Sequence, residues 1–137
     1  MAYWLLKTEA EVYSWNQLVD EKKTWWTGVR NYQARNNLRA MKVGDIAFIY
    51  HSGDERMIVG VARIAAEAAP DKTAEEGDWV AVEVEALKPL AREIGLEEIR
   101  NTPILSGMEL VRHSRLSVVP VRESEAKMIL KIGKTEV

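Results

Sequence analysis

Thr24-Trp25-Trp26-Thr27-Gly28-Val29-Arg30-Asn31-Tyr32-Gln33-Ala34-Arg35-Asn36 is the stretch from which the rest of the chain can be read. Thr24 to Gly28 reads as a loop, and the side chains of adjacent tryptophans there must diverge, one inward and one outward. From Asn31 to Met41 the composition turns to Ala, Gln, Arg and Leu, which predicts a helix stopped near Gly44. Ala34, Leu38 and Met41 follow helical spacing and should face the core. Asn31, Arg35 and Arg39 recur every four residues and must form a polar ladder on another face. Asn31 is at once the expected helix N-cap and a candidate contact for a ligand edge.

Outward from that stretch, Tyr3 to Lys7 is aromatic and aliphatic and predicts an amino-terminal strand. Ser14 is placed to cap a short helix from Trp15 to Glu21. Ile46 to Ser52 and Met57 to Ala65 read as strands joined by the turn-prone Gly53-Asp54-Glu55-Arg56. Trp79 to Ala86 sets Val80, Val82 and Val84 against Ala81, Glu83 and Glu85, the period of a half-buried strand. Ala69 to Asp78 before it is a loose polar loop. A short helix is expected over Glu93 to Arg100, and a second helix start at Thr102-Pro103. A strand over Leu116 to Val121 and a closing helix over Ser124 to Ile132, ended by Gly133, complete the chain. Strands scattered among helices predict a mixed α+β domain on a strongly curved sheet or small barrel.

The 137 residues match the common size of one domain. No apolar run approaches the roughly 18 residues of a membrane helix. The start lacks a basic leader followed by an apolar stretch, so a cytoplasmic protein is expected. Cysteine is absent, and two histidines, His51 and His113, cannot build a His-rich zinc site. Net charge is −2, yet the cations are segregated. Lys22 to Gly44 contains no acid but holds Lys22, Lys23, Arg30, Arg35, Arg39 and Lys42; Leu110 to Arg122 contains no acid but holds Arg112, Arg115 and Arg122. Those two stretches carry nine of the 19 basic residues, leaving ten against 21 acids elsewhere. A fold that joins them would set a basic face on an acidic body, which suits a polyanion. Chance clustering on a solvated surface is the plainer explanation.

No nucleophile elbow, phosphate-binding glycine loop or dinucleotide fingerprint is present. His51 and Ser52 are neighbours on a strand and point to opposite faces, poorly placed to exchange a proton. No catalytic residue, metal or cofactor is therefore expected. Five tryptophans against one phenylalanine is unusual for a core, because each indole N–H needs a partner. Trp4 and Trp15 read as core; Trp25 and Trp26 read either as packing anchors or as a stacking platform. Aromatics interleaved with cations meet the needs of single-strand or flipped-base recognition: stacking contributes ~1–3 kcal/mol per base, and Arg neutralises phosphate.

The run Trp26-Thr27-Gly28-Val29-Arg30-Asn31-Tyr32-Gln33-Ala34-Arg35-Asn36 closely resembles the signature of the EVE domain family. Trp4-Leu5-Leu6-Lys7-Thr8-Glu9 is similar to its opening strand. Gly44-Asp45 with Tyr50-His51-Ser52, and Arg115-Leu116-Ser117-Val118 with Pro120-Val121, are similar to its later motifs. The resemblance runs in order along essentially the whole chain. It implies a single EVE domain over residues 1–137 with a PUA-like fold, a small pseudo-barrel of mixed, mostly antiparallel strands flanked by helices. It also implies a non-catalytic domain that captures a flipped, modified base of the 5-methylcytosine or 5-hydroxymethylcytosine type in an aromatic pocket. The expected partner is nucleic acid, DNA with modified cytosine ahead of RNA, with no membrane or metal partner and the chain acting as a monomer. A PUA-like binder of modified or structured RNA and a protein-interaction module are the alternatives.

Carried across by position, the resemblance makes Trp26 and Trp79 opposite walls of a base cage. Lys7, Thr8 and Glu9 would lie beside the base edge, with Thr27 and Asn31, and Tyr50, His51 and Ser52 would line the floor or rim. Arg30, Arg35, Arg39, Arg112 and Arg115 would contact phosphates. Two residues depart from the family pattern: Ala10 stands where Pro is usual, and Thr27 where Asp is common, which removes a negative charge at the pocket mouth. Glu9, as a carboxylate, would accept from an exocyclic amine and favour cytosine or adenine. Burying one methyl adds roughly 0.8 kcal/mol, about fourfold in affinity, so a polar group must help reject the unmarked base.

Overall fold

Tyr3-Trp4-Leu5-Leu6 pairs antiparallel with Val118-Val119-Pro120-Val121, which ties the two ends of the chain into neighbouring strands. The computed structural model describes all 137 residues. In chain order the elements are β1 (Tyr3–Glu9), α1 (Trp15–Glu21), β2 (Lys23–Trp25), α2 (Tyr32–Ala40), β3 (Ile46–Ser52) and β4 (Met57–Pro70). β5 (Val80–Gly95), α3 (Leu96–Asn101), α4 (Glu109–Arg112), β6 (Val118–Val121) and α5 (Glu123–Ile132) follow. The strands form one six-stranded sheet in the order β2-β5-β4-β3-β1-β6. β1 and β3 are parallel, and the other neighbours are antiparallel.

The class is the mixed α+β one expected, a sheet flanked by helices. Strand hydrogen bonds do not close it, because β2 and β6 stay at the edges. Instead α2 packs against β6, β5 and β4. The Asn37 side-chain amide donates to the Val118 carbonyl at 2.8 Å, fastening α2 to the edge strand.

Each face of the sheet has its own core. On one, Trp4, Leu6, Ala47 and Ile49 meet Trp15 and Leu18 of α1, Ala34 and Leu38 of α2, and Trp26. On the other, Leu5, Phe48 and Tyr50 meet Ile99, Leu110, Ala126 and Ile129 from the later helices. Trp4 and Trp15 are core, as their contexts suggested, and the Trp4 indole donates to Asp45 Oδ2 at 3.0 Å.

α1, β3 and the Asn31-capped α2 fall where local signals placed them. Thr24 and Trp25, read as loop, are strand β2 because they pair with β5, and three other expectations change. β4 and β5 run to 14 and 16 residues because bulges reset their pairing at Ile58/Gly60, Val61/Ala62, Ile64/Ala66 and Ala66/Ala69. Each bulge shifts the side-chain phase, so the period-2 pattern in β5 breaks off near Ala86 although the strand continues. Glu93 and Ile94 are therefore strand, and the expected helix begins only at Leu96. Thr102-Pro103 starts no helix: Thr102 ends α3, with its hydroxyl on the Glu98 carbonyl at 2.7 Å, and α4 begins at Glu109.

Candidate functional site

β2 adds Thr24 and Trp25 to the sheet against Val84 and Glu83, and the next amide, Trp26 N–H, donates to Val82 at 2.8 Å. This anchors the tryptophan pair and fixes which one turns inward. Trp26 is 8% exposed and Trp25 42%. The Trp26 ring meets Tyr13 edge to face at a centroid distance of 5.9 Å. These side chains, with Thr8, Val12, Thr24 and Thr27, line a recess of about 230 Å³. On the other side of Trp25 and Thr27, a second recess of about 290 Å³ is lined by Ala69, Pro70, Asp71, Lys72 and Ala81. Trp25 is thus a half-exposed indole between two small cavities.

The loop after Trp26 is held from a distance. Gly28 takes a positive φ of 86°, which glycine adopts without strain, and its N–H donates to Asp71 Oδ2 at 2.9 Å. The same buried carboxylate accepts from Arg30 at 2.9 Å and from the Thr73 amide and hydroxyl at 2.8 and 2.6 Å. Burial alone would raise its pKa; the bonds from Thr73, Gly28 and Arg30 outweigh that and hold the carboxyl far below the usual range. Tyr13 sits at the other lip, its hydroxyl donating to Glu21 at 2.7 Å. Burial, reinforced by that bond, pushes it up to about 12, so it stays a neutral phenol.

The expected base cage does not form as drawn. Trp79 does not oppose Trp26; it stacks on Tyr32 at 5.1 Å with 19° between planes. Arg30 and Arg35 lie over the Trp79 ring at 5.7 and 5.8 Å, and Arg35 over Tyr32 at 5.1 Å, a cation–aromatic stack beside α2. The remaining set is divided by the sheet. In the parallel register Lys7 aligns with Tyr50, Thr8 with His51 and Glu9 with Ser52. Thr8 and His51 therefore share the face of Trp26, while Lys7, Glu9, Tyr50 and Ser52 belong to the opposite one. Only Thr8 of the β1 residues reaches the recess, and its hydroxyl donates to the Tyr13 carbonyl at 2.9 Å. Glu9 is not among the lining residues, so the expected carboxylate acceptor for a base amine is missing there. His51 does not line it either: Nε2 accepts the Trp15 N–H at 3.0 Å and Nδ1 bonds Glu55 at 3.0 Å, which occupies both ring nitrogens.

Asn31 is the helix cap, Oδ1 accepting from Ala34 N–H at 2.9 Å. It also lines a shallow depression of about 690 Å³ with Gln33, His113, Ser114, Arg115 and Pro120. There the two acid-free stretches of the sequence meet, as charge segregation suggested. The face they make is less basic than the sequence implied, because acids outside the two stretches pair with their arginines. Arg30 pairs with Asp71, Arg39 with Asp78, and Arg112 with Glu109 at 3.6 Å. Arg35 is held in its aromatic stack, and Arg115 makes no ion pair. Sequence reasoning passed over Asp71 and Tyr13 as site residues, and left open which of Trp25 and Trp26 faces outward. Asp71 lay in a stretch read as loose, and nothing local announces that its carboxylate also holds Gly28 and Arg30, 43 and 41 residues away.

No cluster of three or more His, Asp or Glu side chains is placed to hold a metal ion, and no helix is long and apolar enough to cross a membrane. A family model described as the EVE domain matches residues 2–132. Mouse thymocyte nuclear protein 1 is 37% identical over 168 residues, covering 98% of this chain and 74% of its own length. A crystal structure from Agrobacterium tumefaciens is similar with a TM-score of 0.94 and 40% identity, over 98% of this chain and 94% of that one. Human THYN1, crystallised in complex with DNA containing 5-methylcytosine, matches with a TM-score of 0.92 and 33% identity over 100% of both chains. From its second residue to the end of its last helix, this chain belongs to the EVE domain family.

Proposed function

We propose that this protein binds DNA non-catalytically and takes one modified base, of the 5-methylcytosine type, into the Trp26–Tyr13 recess. The observation that carries this reading is the likeness, over the whole crystallised chain, to human THYN1 in complex with 5-methylcytosine DNA. The recess supplies a place for the base. At about 230 Å³ it is below the roughly 300–1,000 Å³ of drug-sized pockets, a scale that suits one heterocycle. The indoles and the phenol offer stacking and edge contacts, and the hydroxyls of Thr8, Thr24 and Thr27 offer polar ones. The lining carries no carboxylate, so the base edge is read by hydroxyl and backbone groups, not by Glu9. The commitment of both His51 nitrogens to structure agrees with binding without chemistry.

The test is fluorescence anisotropy with matched oligonucleotides carrying cytosine, 5-methylcytosine or 5-hydroxymethylcytosine, and an RNA counterpart. The 5-methylcytosine strand should bind about fourfold tighter than cytosine from methyl burial alone. Trp25→Ala, at an exposed position, should cost ~1–3 kcal/mol of binding, and Thr8→Val should narrow the preference. Equal binding of marked and unmarked DNA, or tighter binding of RNA that ignores Trp25, would overturn the proposal.

A further inference from the structure

Lys7, Tyr50 and Ser52, which the sheet turns away from Trp26, line a separate recess of about 220 Å³ with Arg56 and Arg100. Three cations converge on it, and no carboxylate lines it, in a chain with more acids than bases. Confining like charges is unfavourable unless an anion joins them. Glu97, on Arg100 at 3.1 Å, is the one carboxylate paired with any of the three. Lys7 is half-buried and held by the Ser114 carbonyl at 2.9 Å, with no acid. Arg56 keeps a positive φ of 48°, a conformation that costs an arginine energy and a glycine little, and its Nε donates to the Gly53 carbonyl at 3.1 Å. Tyr50 is 3% exposed, yet its hydroxyl has no protein partner. Since no sealed side-chain polar atom in the protein lacks a partner, that hydroxyl must open into the recess it lines. Burial raises its pKa despite the opposing charges of Arg56 and Arg100, so it remains an O–H donor.

We infer that this recess is a binding site for a phosphate group, held by Lys7, Arg56 and Arg100 with the Tyr50 hydroxyl as a further donor. Its volume admits one such group with a little of what bears it. It lies on the opposite sheet face from the base recess and does not depend on the base-capture reading. The phosphate comes either from a nucleic-acid backbone or from a free or small-molecule source, and the chemistry of recognition is the same.

The full chain, 15N-labelled, is titrated with inorganic phosphate, with sodium chloride at matched ionic strength as the control. Saturable amide shifts at Gly53, Arg56 and Ser114 are expected with a Kd on the order of millimolar, absent in chloride and absent at the Trp26 indole. Arg56→Gly removes the guanidinium and relaxes the backbone; Tyr50→Phe removes only the hydroxyl. Each should weaken phosphate binding about tenfold while leaving the thermal midpoint no lower. Absence of a saturable shift in the parent protein, or unchanged affinity in both variants, overturns the inference. A 5-methylcytosine oligonucleotide titrated against Arg56→Gly identifies the source. A parallel loss of about tenfold marks a backbone phosphate, and unchanged oligonucleotide affinity marks a free or small-molecule one.

Discussion

Asp71 joins the tryptophan loop to the β4–β5 connection through four hydrogen bonds from Gly28, Arg30 and Thr73. Because its folded pKa is depressed, the stability it contributes is present above the ordinary aspartate value near 3.9 and is lost as pH falls toward the folded value. Asp71→Asn should therefore lower stability at neutral pH by roughly 2–3 kcal/mol and flatten the loss of stability below about pH 4, as urea melts across pH would register. Gly60 is a second decisive residue. A Cβ there would come within 2.5 Å of the Trp15 ring, which lies flat on the β4 backbone. Gly60→Ala should cost roughly 1–3 kcal/mol, seen as a lower urea midpoint at unchanged slope.

At the scale of elements, α2 depends on one side chain for its start. Asn31→Ala should remove roughly 1 kcal/mol of stability by calorimetry, and Asn31→Asp, which keeps the capping oxygen, should restore most of it. The same scale explains why the expected base cage came apart. Motif residues adjacent in sequence, Lys7-Thr8-Glu9 and Tyr50-His51-Ser52, were grouped as one lining. A strand sends alternate side chains to opposite faces, and the β1–β3 register sorts the six residues onto two sides. Their strands were legible because apolar runs and turn residues are local. The bulges of β4 and β5 were not, because an extra residue in a ladder is decided by the partner strand.

For the whole molecule, segregation of charge in the sequence became juxtaposition in space, where α2 meets β6 and the Arg115 segment. Neutralisation by Asp71 and Asp78 was hidden because those acids lie 41 and 39 residues from the arginines they meet. Glu109, by contrast, sits just outside the second acid-free stretch, one helical turn before Arg112. Of the arginines expected to meet phosphate, Arg115 alone makes neither an ion pair nor an aromatic stack. The salt dependence of oligonucleotide binding should have a log–log slope of roughly −2 to −4. Arg115→Gln should reduce that slope by about one, and Arg112→Gln by less, since Glu109 already holds Arg112.

The amino-acid order by itself determined the helix caps at Ser14 and Asn31, the β3–β4 turn, the inward valines of β5 and the family signature from Trp26 to Asn36. All of these act over a few neighbouring residues, through backbone hydrogen bonds and side-chain period. Only the tertiary structure decided that Trp25 faces solvent while Trp26 packs on Tyr13, that Trp79 stacks on Tyr32, and that Lys7 and Thr8 serve different cavities. Those outcomes depend on which distant strand each residue lies beside, and the chain acquires that information only when its two cores close.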